Sequence, residues 1–335
     1  MKKVLVARAT FPDIVDRLRQ HFEVDLNERD VPFSYEELVA RIDGKDGAML
    51  MGGERIDAAL LDRNPQLAAV CNCAAGYDNF DMDAITSRGV IATNTPVVSN
   101  ESVADFAWTL MLAAARRTRD ADLFVRSGHW RGFAYNLMLG HDVHGTTLGI
   151  IGMGRIGQAI ARRARGFGMT VLYNNRNRLS TAIEEETGSE FVDRDELLSR
   201  SDHVVLALSQ SADSRHLIGA SELERMKPTA TLVNIARGGI VDDAALADAL
   251  ARGIIAGAAL DVFEGEPNVV PELLDAPNVL LTPHMASASV MTRRALADLA
   301  VDNLIASLGE GPRAGTPPSI LNPEVLEGRI RHERA

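Results

Sequence analysis

The sequence predicts an α/β protein of doubly wound parallel sheets, on three observations. Short, wholly apolar runs alternate with stretches of helical periodicity along most of the chain, the pattern of βαβ units whose strands are buried on both faces. A glycine-rich turn, Gly152-Met153-Gly154-Arg155-Ile156-Gly157, lies between one such run and a helix. At 335 residues the chain has room for two domains of roughly 150 residues each. With 46% apolar and 24% charged residues, the composition excludes a disordered, collagenous or coiled-coil chain.

The elements follow in order. Lys3–Ala7 reads as a first strand, its apolar run ending at Arg8, too early for a secretory leader. Ile14, Val15 and Leu18 space out a helix over Asp13–His21, and a second helix is expected over Tyr35–Ile42. Ala48–Met51 is strand-like and closes on Gly52-Gly53; Ile56–Arg63 is helical; Leu67–Cys73 is a strand running into Ala74-Ala75-Gly76; Val90–Thr93 is a short strand. From Glu101 to about Arg126, the stripe of Val103, Phe106, Ala107, Leu110, Met111 and Ala114 predicts one long connecting helix, capped by Ser99 or Asn100. A second alternating set has strands at Thr147–Ile151, Thr170–Tyr173, His203–Ala207, Thr231–Ile235, Gly257–Val262 and Val279–Thr282. Ser289–Leu308 is the last helix. The proline-bearing tail from Gly309 is irregular, and its end, Glu327–Ala335, is expected to be loose.

Thirty-five basic against 46 acidic side chains give a net charge of −11. Such a surface repels nucleic acid and anionic lipid but does not exclude a small anion in a cleft. No stretch approaches the apolar length of a membrane span, and a cytoplasmic protein is expected. Cys71 and Cys73 are too few for a disulfide framework or a zinc site, and read as buried, reduced thiols on one side of a strand. His141 and His144 have no carboxylate or thiol cluster nearby and read as loop residues, so no metal is expected.

A lone G-x-G-x-x-G is weak evidence, so its context decides. Here it follows the strand Leu148–Ile151 and opens a helix whose inner stripe is Ile156, Ile160, Ala164 and Phe167, ended by Gly166 or Gly168, before a second strand. That is the order of a dinucleotide-binding unit, in which Gly152 permits the turn, Gly154 lets backbone approach a pyrophosphate, and Gly157 packs helix on strand. Arg155 and Ile156 then open the helix whose N-terminus faces the anion. An NAD site usually carries a carboxylate at the end of the second strand; this chain reads Tyr173-Asn174-Asn175-Arg176-Asn177-Arg178. Arg176 and Arg178, with Asn175, suit a 2′-phosphate, so NADP(H) is expected to be preferred and NAD(H) is the second candidate.

Three further strands each end in a potentially reactive residue: Arg237 after Leu232–Ala236, Glu266 after Ala258–Phe263, and His284 after Leu280–Pro283. Alone, each has an ordinary reading as a surface charge or a loop end. Together, at the carboxyl ends of parallel strands, they make an acid, its orienting carboxylate and an anion clamp.

Taken with Ala75-Gly76-Tyr77-Asp78-Asn79-Phe80-Asp81, Asn94-Thr95-Pro96, Asn234-Ile235-Ala236-Arg237-Gly238, Leu260-Asp261-Val262-Phe263-Glu264-Gly265-Glu266-Pro267 and Thr282-Pro283-His284, these residues give the chain a resemblance to the D-isomer-specific 2-hydroxyacid dehydrogenases, in the glyoxylate/hydroxypyruvate/2-ketogluconate reductase branch. The resemblance implies two doubly wound domains, Rossmann- and flavodoxin-like, with a cleft between them. Residues 1–98 with 289–335 would bind substrate, and 99–288 would bind NAD(P). It implies Arg237 as the residue that binds the substrate carboxylate and polarises its keto oxygen, His284 as proton donor, and Glu266 as the carboxylate paired to it. Gly53, Ala75 and Gly76 would line the substrate pocket with Arg237 and His284; Ala236 and Asp261 would lie by the cofactor, Asp261 having an equally good structural reading. A homodimer is implied, with Glu101–Arg126 and the Trp130/Phe133 arm at its interface, where the aromatic residues are expected to be buried.

The chain departs from the family's pattern at Leu208-Ser209-Gln210-Ser211, at Met285-Ala286 after the histidine, and at Asn100. The expected reaction is reduction of small 2-oxo acids, glyoxylate and hydroxypyruvate first and 2-ketogluconate next. Phosphoglycerate oxidation fits the 2′-phosphate reading less well, and formate oxidation would need glutamine at 266. A nucleotide-sensing binding module of the corepressor type is the alternative from another class.

Overall fold

The structure is a computed structural model that describes residues 1–327, so most of the expected loose end, Glu327–Ala335, lies outside the described residues. The chain divides into two compact units, Met1–Ser99 with Ser289–Ala335, and Asn100–Ala288.

The first unit carries strands β1 (Lys3–Val6), β2 (Glu23–Leu26), β3 (Gly47–Leu50), β4 (Ala69–Asn72) and β5 (Ile91–Thr93). They form a parallel sheet in the order β2-β1-β3-β4-β5, the flavodoxin-like arrangement. The second unit carries β6 (Thr147–Ile151), β7 (Thr170–Asn174), β8 (Ser189–Phe191), β9 (His203–Leu206), β10 (Thr231–Asn234), β11 (Gly257–Leu260) and β12 (Val279–Leu281). Their order, β12-β11-β10-β9-β6-β7-β8, is all parallel and reverses between β6 and β9. It is the classic dinucleotide-fold order with a seventh strand added at one edge. The predicted fold class is therefore the observed one.

Both sheets are covered on both faces, which is why their strands read as unbroken apolar runs rather than as alternation. In β1, Val4 and Val6 pack on one side and Leu5 on the other; in β9, Val204 and Leu206 oppose Val205. The last helix, Val290–Ser307, brings the chain back to the first unit and buries Leu296, Ala300, Val301 and Leu304 against β3 and β4. Each such leucine contributes about 1.5–3 kcal/mol of burial.

One expectation is corrected. The single helix Glu101–Arg126 is two helices, Asn100–Ala115 and Thr118–Arg126, with Arg117 in the left-handed region at φ +53°. The break has a tertiary cause: the Ala115 carbonyl accepts from the His141 N–H at 2.9 Å, and a Cβ on Gly140 would lie 2.4 Å from that oxygen. The returning chain thus seals the first helix. Its Val103, Ala107, Leu110 and Met111 are core of the second unit, where Trp108 donates to the Ile160 carbonyl at 3.1 Å and stacks on Phe167. Trp130 and Phe133, expected at a dimer interface, are 53% and 89% exposed on the single chain. The edge strands β2 and β8 have no counterpart in the sequence reading, being short and only half-buried.

Cys71 and Cys73 are free, buried thiols on one core face, as expected, and burial pushes both up to about 12. Among the described residues no cluster suited to a metal occurs, and no helix is long and apolar enough to cross a membrane.

Candidate active site

All the parallel strands of the second sheet end on one edge, and the sequence-predicted side chains of that unit collect there. The glycine turn follows β6, next to the point where strand order reverses. Gly152 has φ +101°, and a Cβ on it would sit 2.6 Å from the Ala207 backbone at the end of β9. A Cβ on Gly157 would come within 2.3 Å of the Gly152 carbonyl. These two glycines are required by the protein's own packing. Gly154 is different: a Cβ there meets nothing within 4 Å. The space it leaves clear lies at the N-terminus of the ten-residue helix Arg155–Ala164, where unpaired backbone N–H groups favour an anion. A dinucleotide's pyrophosphate fits this cradle. Asn175 steadies it, its Oδ1 accepting from the Met153 N–H at 2.7 Å.

Beyond β7 the two arginines part company. Arg176 is exposed and makes no hydrogen bond or ion pair among the described residues. Arg178 forks onto Glu184, with Nε on Oε1 and Nη2 on Oε2, both at 2.8 Å. The buried Tyr173 hydroxyl also donates to Glu184 Oε1, at 2.6 Å. The hydrogen bonds from Arg178 and then Tyr173, against the opposing effect of burial, pull the Glu184 carboxyl down to about 2. Sequence reading missed Glu184 because it searched for a carboxylate only at the strand end; the signal was an acidic residue one turn into the following helix.

Arg237 leaves β10 half-buried, its Nη1 donating to the Ala236 carbonyl at 2.8 Å. Asn234, the last residue of β10, ties this corner: its Nδ2 donates to the Arg237 carbonyl and its Oδ1 accepts from the Ala236 N–H. Gly238 is where the loop after β10 meets the loop after β11. A Cβ on it would fall 1.7 Å from the Phe263 carbonyl oxygen. Only glycine allows that approach.

Glu266 is fixed at both oxygens. Oε1 accepts from the Phe263 N–H at 2.9 Å, and Oε2 pairs with His284 Nδ1 at 2.8 Å. Burial raises the Glu266 carboxyl, but the hydrogen bonds from His284 and Phe263 and the charges of His284 and Arg237 outweigh it, so the group lies below the ordinary carboxylate range. The His284 side chain is 52% exposed, and its other ring nitrogen, Nε2, has no hydrogen bond among the described residues. A cavity of about 310 Å³, lined by Phe263, Pro267, Val269, Leu274 and Leu281, adjoins this pair.

Asp261 has a structural role. It is fully buried; Oδ1 accepts from Thr282 Oγ1 at 2.6 Å and the Met285 N–H at 2.9 Å, and Oδ2 accepts from the Ala286 N–H at 2.7 Å. Both oxygens organise the loop that carries His284. The His284 N–H donates to the Asp261 carbonyl at 2.8 Å, and His284 itself adopts φ +51°. In the first unit, the segment 74–80 is pinned by its carbonyls: Asn94 Nδ2 donates to Ala75, Asn72 Nδ2 to Gly76, and the Thr95 N–H to Ala74. Gly53 faces open space.

Comparison with known proteins agrees with this geometry. The family described as D-isomer specific 2-hydroxyacid dehydrogenase, NAD binding domain, matches residues 108–286. A glyoxylate reductase of Thermococcus gammatolerans is 49% identical over 332 residues, 97% of each chain. One of Pyrococcus horikoshii is 45% identical over 334 residues, 98% of each. Among solved structures, the NADPH-dependent glyoxylate/hydroxypyruvate reductase of Sinorhizobium meliloti in complex with NADP and malonate is 37% identical, with a TM-score of 0.81 over 94% of this chain and 98% of that one. A glyoxylate reductase from Paecilomyes thermophila has a TM-score of 0.83 at 33% identity, over 96% and 99%.

Fold and site thus define a dehydrogenase that works with a nicotinamide dinucleotide. The chain belongs to the D-isomer specific 2-hydroxyacid dehydrogenase family, and its activity is that of a 2-oxo acid reductase.

Proposed function

We propose that this protein reduces small 2-oxo acids, glyoxylate foremost and hydroxypyruvate after it, to D-2-hydroxy acids with a preference for NADPH. 2-Ketogluconate extends the range, because Gly52 and Gly53 leave one wall of the proposed pocket without bulk. The observation that carries the reading is the meeting of Arg237, Glu266 and His284 at the carboxyl edge of the sheet that bears the glycine turn.

When bound, a nicotinamide would supply the hydride for the carbonyl carbon; the remaining work falls to side chains. Arg237 binds the substrate carboxylate and draws electron density onto the keto oxygen, with Gly53, Ala75 and Gly76 as further substrate contacts. His284 delivers a proton from Nε2 to that oxygen, leaving the ring neutral and the product an alcohol. Glu266 holds the Nδ1–H, so the ring keeps one orientation through the transfer. Gly152, Gly154, Arg155, Ile156 and Gly157 would cradle the pyrophosphate; Ala236 and the backbone at Asp261 would border the nicotinamide; Asn175, Arg176 and Arg178 would face the 2′-phosphate. The support for NADPH is the missing strand-end carboxylate and the uncommitted guanidinium of Arg176. The exposed Trp130, Phe133 and Tyr135 support a homodimer, and two buried, unoxidised thiols suit the cytoplasm.

Initial rates with glyoxylate, hydroxypyruvate and 2-ketogluconate, each with NADPH and NADH, test the proposal. Glyoxylate with NADPH is expected to give the highest kcat/KM; faster turnover with NADH, or none with any of the three acids, would contradict it.

A further inference from the structure

The 2′-phosphate reading treats Arg176 and Arg178 alike, but the structure does not. Arg178 is 64% exposed at its side chain and lies over Glu184, whose carboxyl is 9% exposed. The fork takes Nε and Nη2, so the carboxylate sits beneath the guanidinium, on the side away from solvent. Tyr173, fully buried in the sheet, needs an acceptor for its hydroxyl and finds the same carboxylate; the Leu179 N–H in turn donates to the Tyr173 oxygen at 2.9 Å. Glu184 therefore has a place in the packing that any amide or carboxyl oxygen fills, and a negative charge that the packing does not require.

Resting on the reading that this strand end receives the 2′-phosphate, we propose that Glu184 sets the strength of NADPH selection by cancelling the charge of Arg178. With Glu184 ionised, Arg176 and Arg178 together offer the phosphate a net charge of one rather than two. The Glu184 carboxyl, pulled down to about 2, stays ionised throughout the working range. The sequence looks like an NADP site with two arginines; electrostatically it is a site with one, and the second is held in reserve by an acid from the following helix.

The test is calorimetric titration of the full chain with NADPH and with NADH, which reads cofactor affinity without turnover. Glu184→Gln keeps an oxygen for Tyr173 and Arg178 while removing the charge. It is expected to tighten NADPH about fivefold, as removing one unit of like charge near a phosphate through a partly screened medium would, and to change NADH less than about twofold. An unchanged or lower ratio of the two affinities overturns the proposal. Arg176→Ala separates this from the underlying reading. If Arg176→Ala abolishes the discrimination while Glu184→Gln does not raise it, only the role of Glu184 fails; if Arg176→Ala leaves the ratio unmoved, the 2′-phosphate reading fails and the proposal falls with it. Should Glu184→Gln not fold, the double variant Arg178→Gln/Glu184→Gln carries the test. Removing both charges is expected to leave the ratio within about twofold of wild type, and a fall as large as that of Arg176→Ala contradicts charge cancellation.

Discussion

His284 is restrained from three sides: its N–H by the Asp261 carbonyl, its flanking N–H groups by the Asp261 carboxylate, and its ring by Glu266. A histidine at φ +51° is uncommon, and such a conformation persists where its surroundings over-determine it. The geometry fixes Nδ1 on Glu266 and leaves Nε2 without a hydrogen bond among the described residues. The pH consequence follows from the Glu266 carboxyl lying below the ordinary range. Its charge is present at every pH above that lowered value and is lost only as pH falls through it, so Glu266→Gln removes from the whole range above it the charge that faces the His284 ring. Glu266→Gln is expected to lower kcat for reduction at least about tenfold, roughly 1.4 kcal/mol in the barrier, with NADPH affinity within about twofold of wild type. An unchanged kcat would show that the pair does not act together.

At the scale of elements, the site depends on how closely consecutive strand-end loops approach. Gly238 touches the Phe263 carbonyl, so the loop holding Arg237 and the loop holding Glu266 are packed as one body. Gly238→Ala is expected to cost about 2 kcal/mol of stability, the usual scale of overpacking, and to lower kcat/KM at least tenfold because Arg237 and Glu266 shift apart. Denaturant unfolding and steady-state kinetics measure the two; retained activity with lowered stability would show that the contact is structural only. Much of this was legible in the sequence. Buried parallel strands announce themselves as apolar runs, and the glycine turn, Arg237, Glu266 and His284 each stand at the end of one. What was not legible depended on contacts remote in the chain. The break at Arg117 comes from a segment 25 residues later that claims the Ala115 carbonyl. The engagement of Asp261 with Thr282, Met285 and Ala286 is tertiary, as is the fork of Arg178 on Glu184. Edge strands such as Ser189–Phe191 are too short and too wet to carry a periodic signal.

For the whole molecule, each unit has its own sheet and two apolar cores, one on each face. Against a net charge of −11, the proposed anion binding rests on local groups: a helix N-terminus with its open glycine cradle, Arg176 and Arg237. The proposed protonation step of carbonyl reduction rests on one side chain of the second unit, His284. The most direct test is glyoxylate reduction by His284→Ala, measured together with NADPH affinity by calorimetry. A loss of about 10³-fold in kcat is expected, with cofactor affinity within about twofold of wild type. A variant that still turns over within tenfold of the parent would contradict it.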